Sequence, residues 1–315
     1  MSHLDVEIES METYRHSGRT PLGAAAISLL TGLFIALIGA FAYAWSVQWI
    51  PLIYINFLAT LAFGALVGGA VGVVARVGRI RSDAVVGLIA LFCMAVGVWL
   101  YWGASFWAMF GPEAGLRPWG PTLLSAYVQH LFENGSWGLK DGDPIKGWFL
   151  TAVWVVEIGL LFVVAWATAL ACVNQPFCES CGEWTETESA VARFDAKGDE
   201  AVWQRVITDD LPALGEVPLL SEDKPNYVRL DFAKCPKCEH SNFMTLQAVE
   251  ITTDSKGNTK TKERKLLVHG ILTAEQSQII RHLATMTEEE PVVDAPAHNQ
   301  AALSENDTGS SEATS

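Results

Sequence analysis

Between Leu22 and Ala75 the sequence contains no Asp, Glu, Lys or Arg. A stretch that long without charge offers water no polar face, which excludes an ordinary soluble domain over these residues. Cations are scarce throughout, with 21 Lys and Arg against 35 Asp and Glu and a net charge of −14. From Asn174 onward the numbers are 13 and 25, so −12 of that charge belongs to the C-terminal part. Nucleic-acid binding needs a clustered cationic face and is not expected there. There is no P-loop, dinucleotide fingerprint, H-E-x-x-H or Gly-x-Ser-x-Gly, which removes the common signatures of nucleotide, zinc-protease and serine-hydrolase chemistry. His3, His16, His130, His240, His269, His282 and His298 are scattered without metal-ligand spacing. The six cysteines do not suggest a disulfide framework: Cys93 and Cys172 lie in apolar segments, and the other four form two Cys-x-x-Cys pairs.

Four apolar runs, at about 22–45, 51–75, 84–107 and 148–173, each approach or exceed the roughly 20 residues that a bilayer requires. Ala42-Tyr43-Ala44 resembles a signal-peptide cleavage site, but the first run is too long for a signal h-region and further spans follow it. Arg15 and Arg19 precede the first run, and Arg76, Arg79 and Arg81 crowd the turn between the second and third. Lys and Arg accumulate on the cytoplasmic side, so the polar segment 1–21, the arginine turn and the C-terminal domain are expected in the cytoplasm, as at a bacterial inner membrane. Residues 1–21 are expected to be poorly ordered.

The loop 109–147 then lies outside. Its Leu123, Leu124, Tyr127, Val128, Leu131 and Phe132 fall at helical spacing before Asn134-Gly135, predicting a short amphipathic helix over 122–133 on the outer interface. Nine tryptophans, among them Trp45, Trp49, Trp102, Trp119 and Trp154, map to this outer side. They suit interfacial anchoring, or alternatively a surface for headgroups or a partner.

Two features inside the spans carry functional weight. Glu157 is the sole acidic residue within a span, and a carboxylate in hydrocarbon is a functional hypothesis by default. It suits either a hydrogen bond to another helix or ion handling. Thr60, Gly64, Gly68 and Gly72 recur at every fourth position, giving one helix face on which a neighbour can approach closely. That face fits packing within one bundle, a homo-oligomeric seam or a pore lining.

Beyond the last span come Phe177-Cys178-Glu179-Ser180-Cys181-Gly182 and, more than fifty residues later, Lys234-Cys235-Pro236-Lys237-Cys238. Each C-x2-C turn offers two thiolates from one tight loop, and zinc takes four ligands in a tetrahedron. Gly182 suits a knuckle whose backbone needs positive φ, while Glu239 replaces the glycine expected after the second pair. These residues resemble the zinc-ribbon class, over the knuckles and the strands beside them. The resemblance implies Cys178, Cys181, Cys235 and Cys238 as ligands of one structural Zn. Two thiol pairs fit redox exchange less well, since that chemistry favours a single reactive pair at a helix N-terminus.

The interval exceeds that of compact two-knuckle sites, so an insertion is expected, with a short helix at 201–207 and a Pro-rich connector. Residues 243–252 and 260–268 read as a hairpin around Asp254-Ser255-Lys256-Gly257-Asn258. Thr273-Ala274-Glu275-Gln276 is a capping box, opening a helix expected to turn Ile279, Ile280 and Leu283 inward. The acidic, Ser/Thr/Ala-rich segment 287–315 is expected to be disordered.

The sequence therefore predicts a membrane α-helical bundle of four transmembrane helices (22–173), a small α+β zinc-ribbon domain (174–286) and a disordered tail. Its expected partners are the lipid bilayer and a protein at the cytoplasmic face, with the ribbon as a binding or regulatory module. The alternatives are a transporter or channel subunit using Glu157 and the Gly64/Gly68/Gly72 face, and a membrane thiol-redox protein.

Overall fold

The computed structural model of the chain describes residues 11–50, 53–111, 119–138, 144–196, 200–220, 224–238, 240–254 and 258–288. Four helices in it are long and apolar enough to cross a membrane. They are α1 (Leu22–Trp49), α2 (Ile53–Val77), α3 (Asp83–Phe110) and α5 (Gly147–Val173). The first three helices run two to four residues past the C-terminal end of the apolar stretch, and α5 ends with it. At the start of α3 the Ser82 hydroxyl accepts from the Val85 amide at 3.5 Å.

The helices form a closed ring in which α1 touches α2 and α3, and α5 touches the same two from the other side. Small residues make this possible. Ala36, Ala40, Ala90, Ala165 and Ala169 are fully buried along the helix seams, whereas Phe34, Phe57, Leu66, Leu88, Phe92 and Val163 point outward. Large apolar groups also fill the interior, among them Phe63, Met94 and Leu161, so the outward ones give the bundle an apolar outer surface that a water-soluble bundle lacks.

The short helix α4 (Pro121–Asn134) lies where the periodicity placed it, with Leu124, Tyr127 and Leu131 buried against Trp102, Phe106 and Trp154 of α3 and α5. Two-residue strands β1 (Trp137–Gly138) and β2 (Pro144–Ile145) pair below it. Trp119 sets its indole nitrogen against Gly103, where a Cβ would come within 2.1 Å of it, and donates to the Leu100 carbonyl at 3.4 Å.

After α5 the chain makes a two-stranded ribbon, β3 (Phe177–Cys178) and β4 (Glu183–Trp184). A four-stranded antiparallel sheet follows in the order β5 (Glu186–Asp195), β6 (Asn226–Lys234), β7 (Asn242–Thr253), β8 (Thr259–Leu272). One face carries α6 (Glu200–Ile207), a 3₁₀ turn at Leu211–Glu216 and α7 (Ala274–Glu288). Alternate residues Val228, Leu230 and Phe232 of β6 point into that core with Phe194, Trp203, Leu214 and Ile280, the period-2 pattern of a half-buried strand. The capping box is formed in both directions: the Gln276 amide donates to Thr273 Oγ1 at 3.3 Å, and Gln276 Oε1 accepts from the Thr273 amide at 2.8 Å.

Several expectations change. The hairpin strands run further than predicted at both ends, and β5 and β6, expected only as strands beside the knuckles without bounds, are ten and nine residues long. Of the three apolar residues assigned inward on α7, Ile280 is buried and Leu283 packs on the core, but Ile279 is exposed, lying 100° from Ile280 on a helix that has one covered face.

The largest correction concerns the N-terminal segment. Within it, residues 11–20 form a strap rather than a loose end. Met11 is buried, the Tyr14 amide donates to the His269 carbonyl at 2.9 Å, and the Ile271 amide donates to Glu12 at 2.8 Å. The free edge of β8 has unpaired backbone groups, and the strap satisfies them with few apolar side chains. The strap then reaches the α2–α3 turn, where the Gly18 amide donates to Arg81 and the Arg81 amide to Arg19. Residues 1–10, the loop opening at 112–118, Glu239 and the tail 289–315 lie outside the described residues.

Candidate metal centre

The first knuckle is set three residues beyond α5 by Pro176. Its turn is closed by the Gly182 amide donating to the Cys178 carbonyl at 2.8 Å, with Gly182 at φ +67°, a conformation that glycine adopts without strain. The Cys181 amide points at Cys178 Sγ, 3.4 Å away. The second knuckle follows β6 directly. Here the Lys237 amide points at Cys235 Sγ (3.5 Å) and the Cys235 amide donates to the Ser241 carbonyl (3.1 Å).

These two turns, far apart in sequence, bring Cys178, Cys181, Cys235 and Cys238 together with all four sulfurs within 4.8 Å of one another. Cys178 Sγ and Cys238 Sγ lie 3.7 Å apart. Four thiolates about 2.3 Å from one tetrahedral ion sit about 3.8 Å from each other, so the cluster fits a single metal ion. All four are free thiols. The Ser241 hydroxyl donates to Cys178 Sγ at 3.2 Å.

His240 is not among the clustered side chains; it contributes its backbone N–H to Cys238 instead. That amide and the neighbouring thiols pull the Cys238 sulfur down to about 6. Cys181, whose thiol is engaged by Cys238, is pushed up to about 12, and burial raises Cys235.

The arginine turn between α2 and α3, which the sequence offered only as a charge signal, packs on the first knuckle. Arg76 reaches the end of α5, donating to the Cys172 carbonyl at 2.9 Å and to Gln175 at 2.5 Å. Its own carbonyl accepts from Trp184 Nε1 at 2.8 Å. Arg81 stacks 4.6 Å over the Phe177 ring and ion-pairs with Glu179, which also faces Arg19 at 3.8 Å. Glu183 accepts from Arg79 at 3.2 Å and from Lys237 at 2.5 Å, tying the turn to both knuckles. These two cations, Lys237 first, hold the Glu183 carboxyl below its ordinary range.

The other sequence candidates lie elsewhere. Glu157, half-buried on α5, accepts a hydrogen bond from Tyr43 of α1, whose hydroxyl is also 2.8 Å from Thr60 of α2. Tyr43→Phe is expected to destabilise the bundle by about 1–3 kcal/mol, because the half-buried Glu157 oxygen loses its donor. Thermal unfolding in detergent measures it, and an unchanged midpoint contradicts that role for Tyr43.

Gly64, Gly68 and Gly72 face α5 within the same bundle. A Cβ on them would lie 3.0 Å from Leu161 O, 2.1 Å from Ala165 O and 2.6 Å from Ala169 O. The stripe is therefore occupied by a neighbouring helix and is not an open face. Compared with protein-family models, curated proteins and solved structures, the chain matches none.

Proposed function

We propose that this chain is an integral membrane protein with four spans, its strap and C-terminal domain in the cytoplasm, and that one structural zinc folds this domain into a binding module for a protein partner. The observation carrying the reading is the closed set of four cysteine sulfurs from two knuckles. With all four tetrahedral positions taken by thiolate, zinc has no place for water or substrate, and its work is to hold the knuckles together. Cys178, Cys181, Cys235 and Cys238 would hold the ion as in a zinc ribbon.

The surface that supports partner binding is the far end of the β7–β8 hairpin. Lys260, Lys262 and Arg264 alternate on β8 and are exposed, a cationic stripe in a chain of net charge −14. β7 starts beside the knuckles and runs 12 residues to this end, about 40 Å of strand. The stripe runs from the middle of the hairpin toward the end remote from the knuckles, and its charge suits an acidic protein segment.

Affinity capture with the full-length protein tests this. Wild-type chain is expected to retain a specific partner that the triple charge reversal Lys260→Glu/Lys262→Glu/Arg264→Glu loses; equal retention by both argues against the hairpin as the docking face.

A second reading, transport, is favoured by the Tyr43–Thr60–Glu157 contact among three of the long helices. It predicts solute or ion flux that Glu157→Gln abolishes, and flux unchanged by that substitution removes its support.

A further inference from the structure

We infer that the α2–α3 turn is the outer coordination layer of the four-cysteine centre, so that metal binding and the seating of the soluble domain on the bundle are a single coupled equilibrium. The inference rests on the zinc reading above and extends it to residues that lie between two of the long helices.

Arg79 and Arg81 reach the residues that flank or separate Cys178 and Cys181. Arg81 covers Phe177, on the N-terminal side of Cys178, and pairs with Glu179 between the two cysteines. Arg79 pairs with Glu183, two residues past Cys181, and its guanidinium lies 3.4 Å from the position of a Cβ on Gly182. Trp184 is fixed from the other side by the Arg76 carbonyl and by the Arg76 guanidinium 5.3 Å from its ring centroid.

The geometry of the turn is specified locally. Arg79 adopts φ +55° just past α2, and the Ile80 amide returns to the Ala75 carbonyl at 2.9 Å. This is a left-handed helix ending that aims consecutive side chains in different directions. The strap braces it through Gly18 and Arg19, and His16 lies 3.7 Å from Asp83 at the start of α3.

Charge gives the direction of the coupling. Four thiolates on a divalent ion leave two negative charges, and Glu179 and Glu183 stand beside them. Arg19 and Arg81 pair with Glu179, and Arg79 and Lys237 with Glu183. With the ion bound, the knuckle turns are rigid and their acidic groups are held where these cations meet them. Without it, β3 and β4 keep only two paired residues each and their contacts to the turn. The arginines act through the knuckle and do not touch the metal; they are positioning residues. Because coupling is reciprocal, weakening the turn must weaken metal binding, and removing the metal must loosen the turn.

The test uses full-length protein in lipid nanodiscs, with zinc affinity measured by competition against a chromophoric chelator. Arg79→Gln/Arg81→Gln is expected to bind zinc about 10- to 100-fold more weakly, the usual cost of losing outer-layer partners. Arg81→Lys alone is expected to fall between the two. Arg205→Gln removes exposed ion pairs to Asp210 and Glu216 on the helical face of the sheet, away from the knuckles, and is expected to leave affinity unchanged. In wild-type protein, chelation is expected to speed amide exchange at residues 76–82 as well as at 177–184.

Equal affinity in wild-type and double variant overturns the inference while leaving the zinc reading intact. Exchange at 76–82 that ignores chelation does the same, and it needs no variant to fold. Wild-type protein that takes up no zinc overturns both.

Discussion

Cys178→Ser is expected to lower zinc affinity between a hundred- and a thousand-fold. Four thiolates share a structural zinc binding energy of about 10–16 kcal/mol, so one ligand accounts for about 2.5–4 kcal/mol. The structural consequence should be local. The sheet β5–β8 has its own core around Phe194, Leu230, Phe232 and Met244, whereas β3 and β4 form a separate two-stranded pair of two residues each. Hydrogen exchange is therefore expected to lose protection at residues 177–184 and 235–241 in the variant, with β6 and β7 still protected. Protection retained at both knuckles would mean that packing, not metal, holds them.

The second large effect is a graded series on α2. Adding one methyl at Gly68 places carbon 2.1 Å from the Ala165 carbonyl and 2.2 Å from Thr168 Oγ1. The first obstacle is backbone of a packed helix and cannot swing aside, so α2 and α5 must part. Overpacking of this kind costs about 1–3 kcal/mol and occasionally more. Gly72→Ala meets Ala169 O at 2.6 Å and Gly64→Ala meets Leu161 O at 3.0 Å, while at Gly69 nothing lies within 4 Å. Thermal unfolding in detergent should rank the alanine variants Gly68, Gly72, Gly64 from most to least damaged. Gly69→Ala should be neutral or stabilising by up to about 1 kcal/mol, as expected for replacing glycine in a helix. A Gly69 variant as damaged as Gly68 would show that helix–helix contact is not what the stripe provides.

How much of this could be read from the residues alone depended on whether the cause was local. The long helices follow from uncharged runs, and the capping box from two side chains three residues apart. The convergence of the cysteines was legible because paired C-x2-C turns have few other uses. β6 was missed although Val228, Leu230 and Phe232 alternate, because it was absorbed into a connector. β5 was obscured by a bulge in which Ala190 takes φ +57° and its amide donates to Asp231 at 2.8 Å. The charge-rich part of β8 was read as strand, and the segment 269–272 that pairs with the strap was not.

The strap was beyond composition, since backbone pairing with an edge strand needs no particular side chains. The arginine turn was misjudged for a different reason. Its charges were assigned to topology alone, while the complementary signal, Glu179 and Glu183 inside and just after the first knuckle, went unused. Opposite charge on two short turns is weak evidence until the fold places them together.

The most direct measurement is metal analysis of the purified full-length protein combined with thiol alkylation. One zinc per chain is expected, with Cys178, Cys181, Cys235 and Cys238 resisting a maleimide until a chelator is added. A chain that carries no metal and whose four knuckle thiols react at once contradicts a structural metal centre.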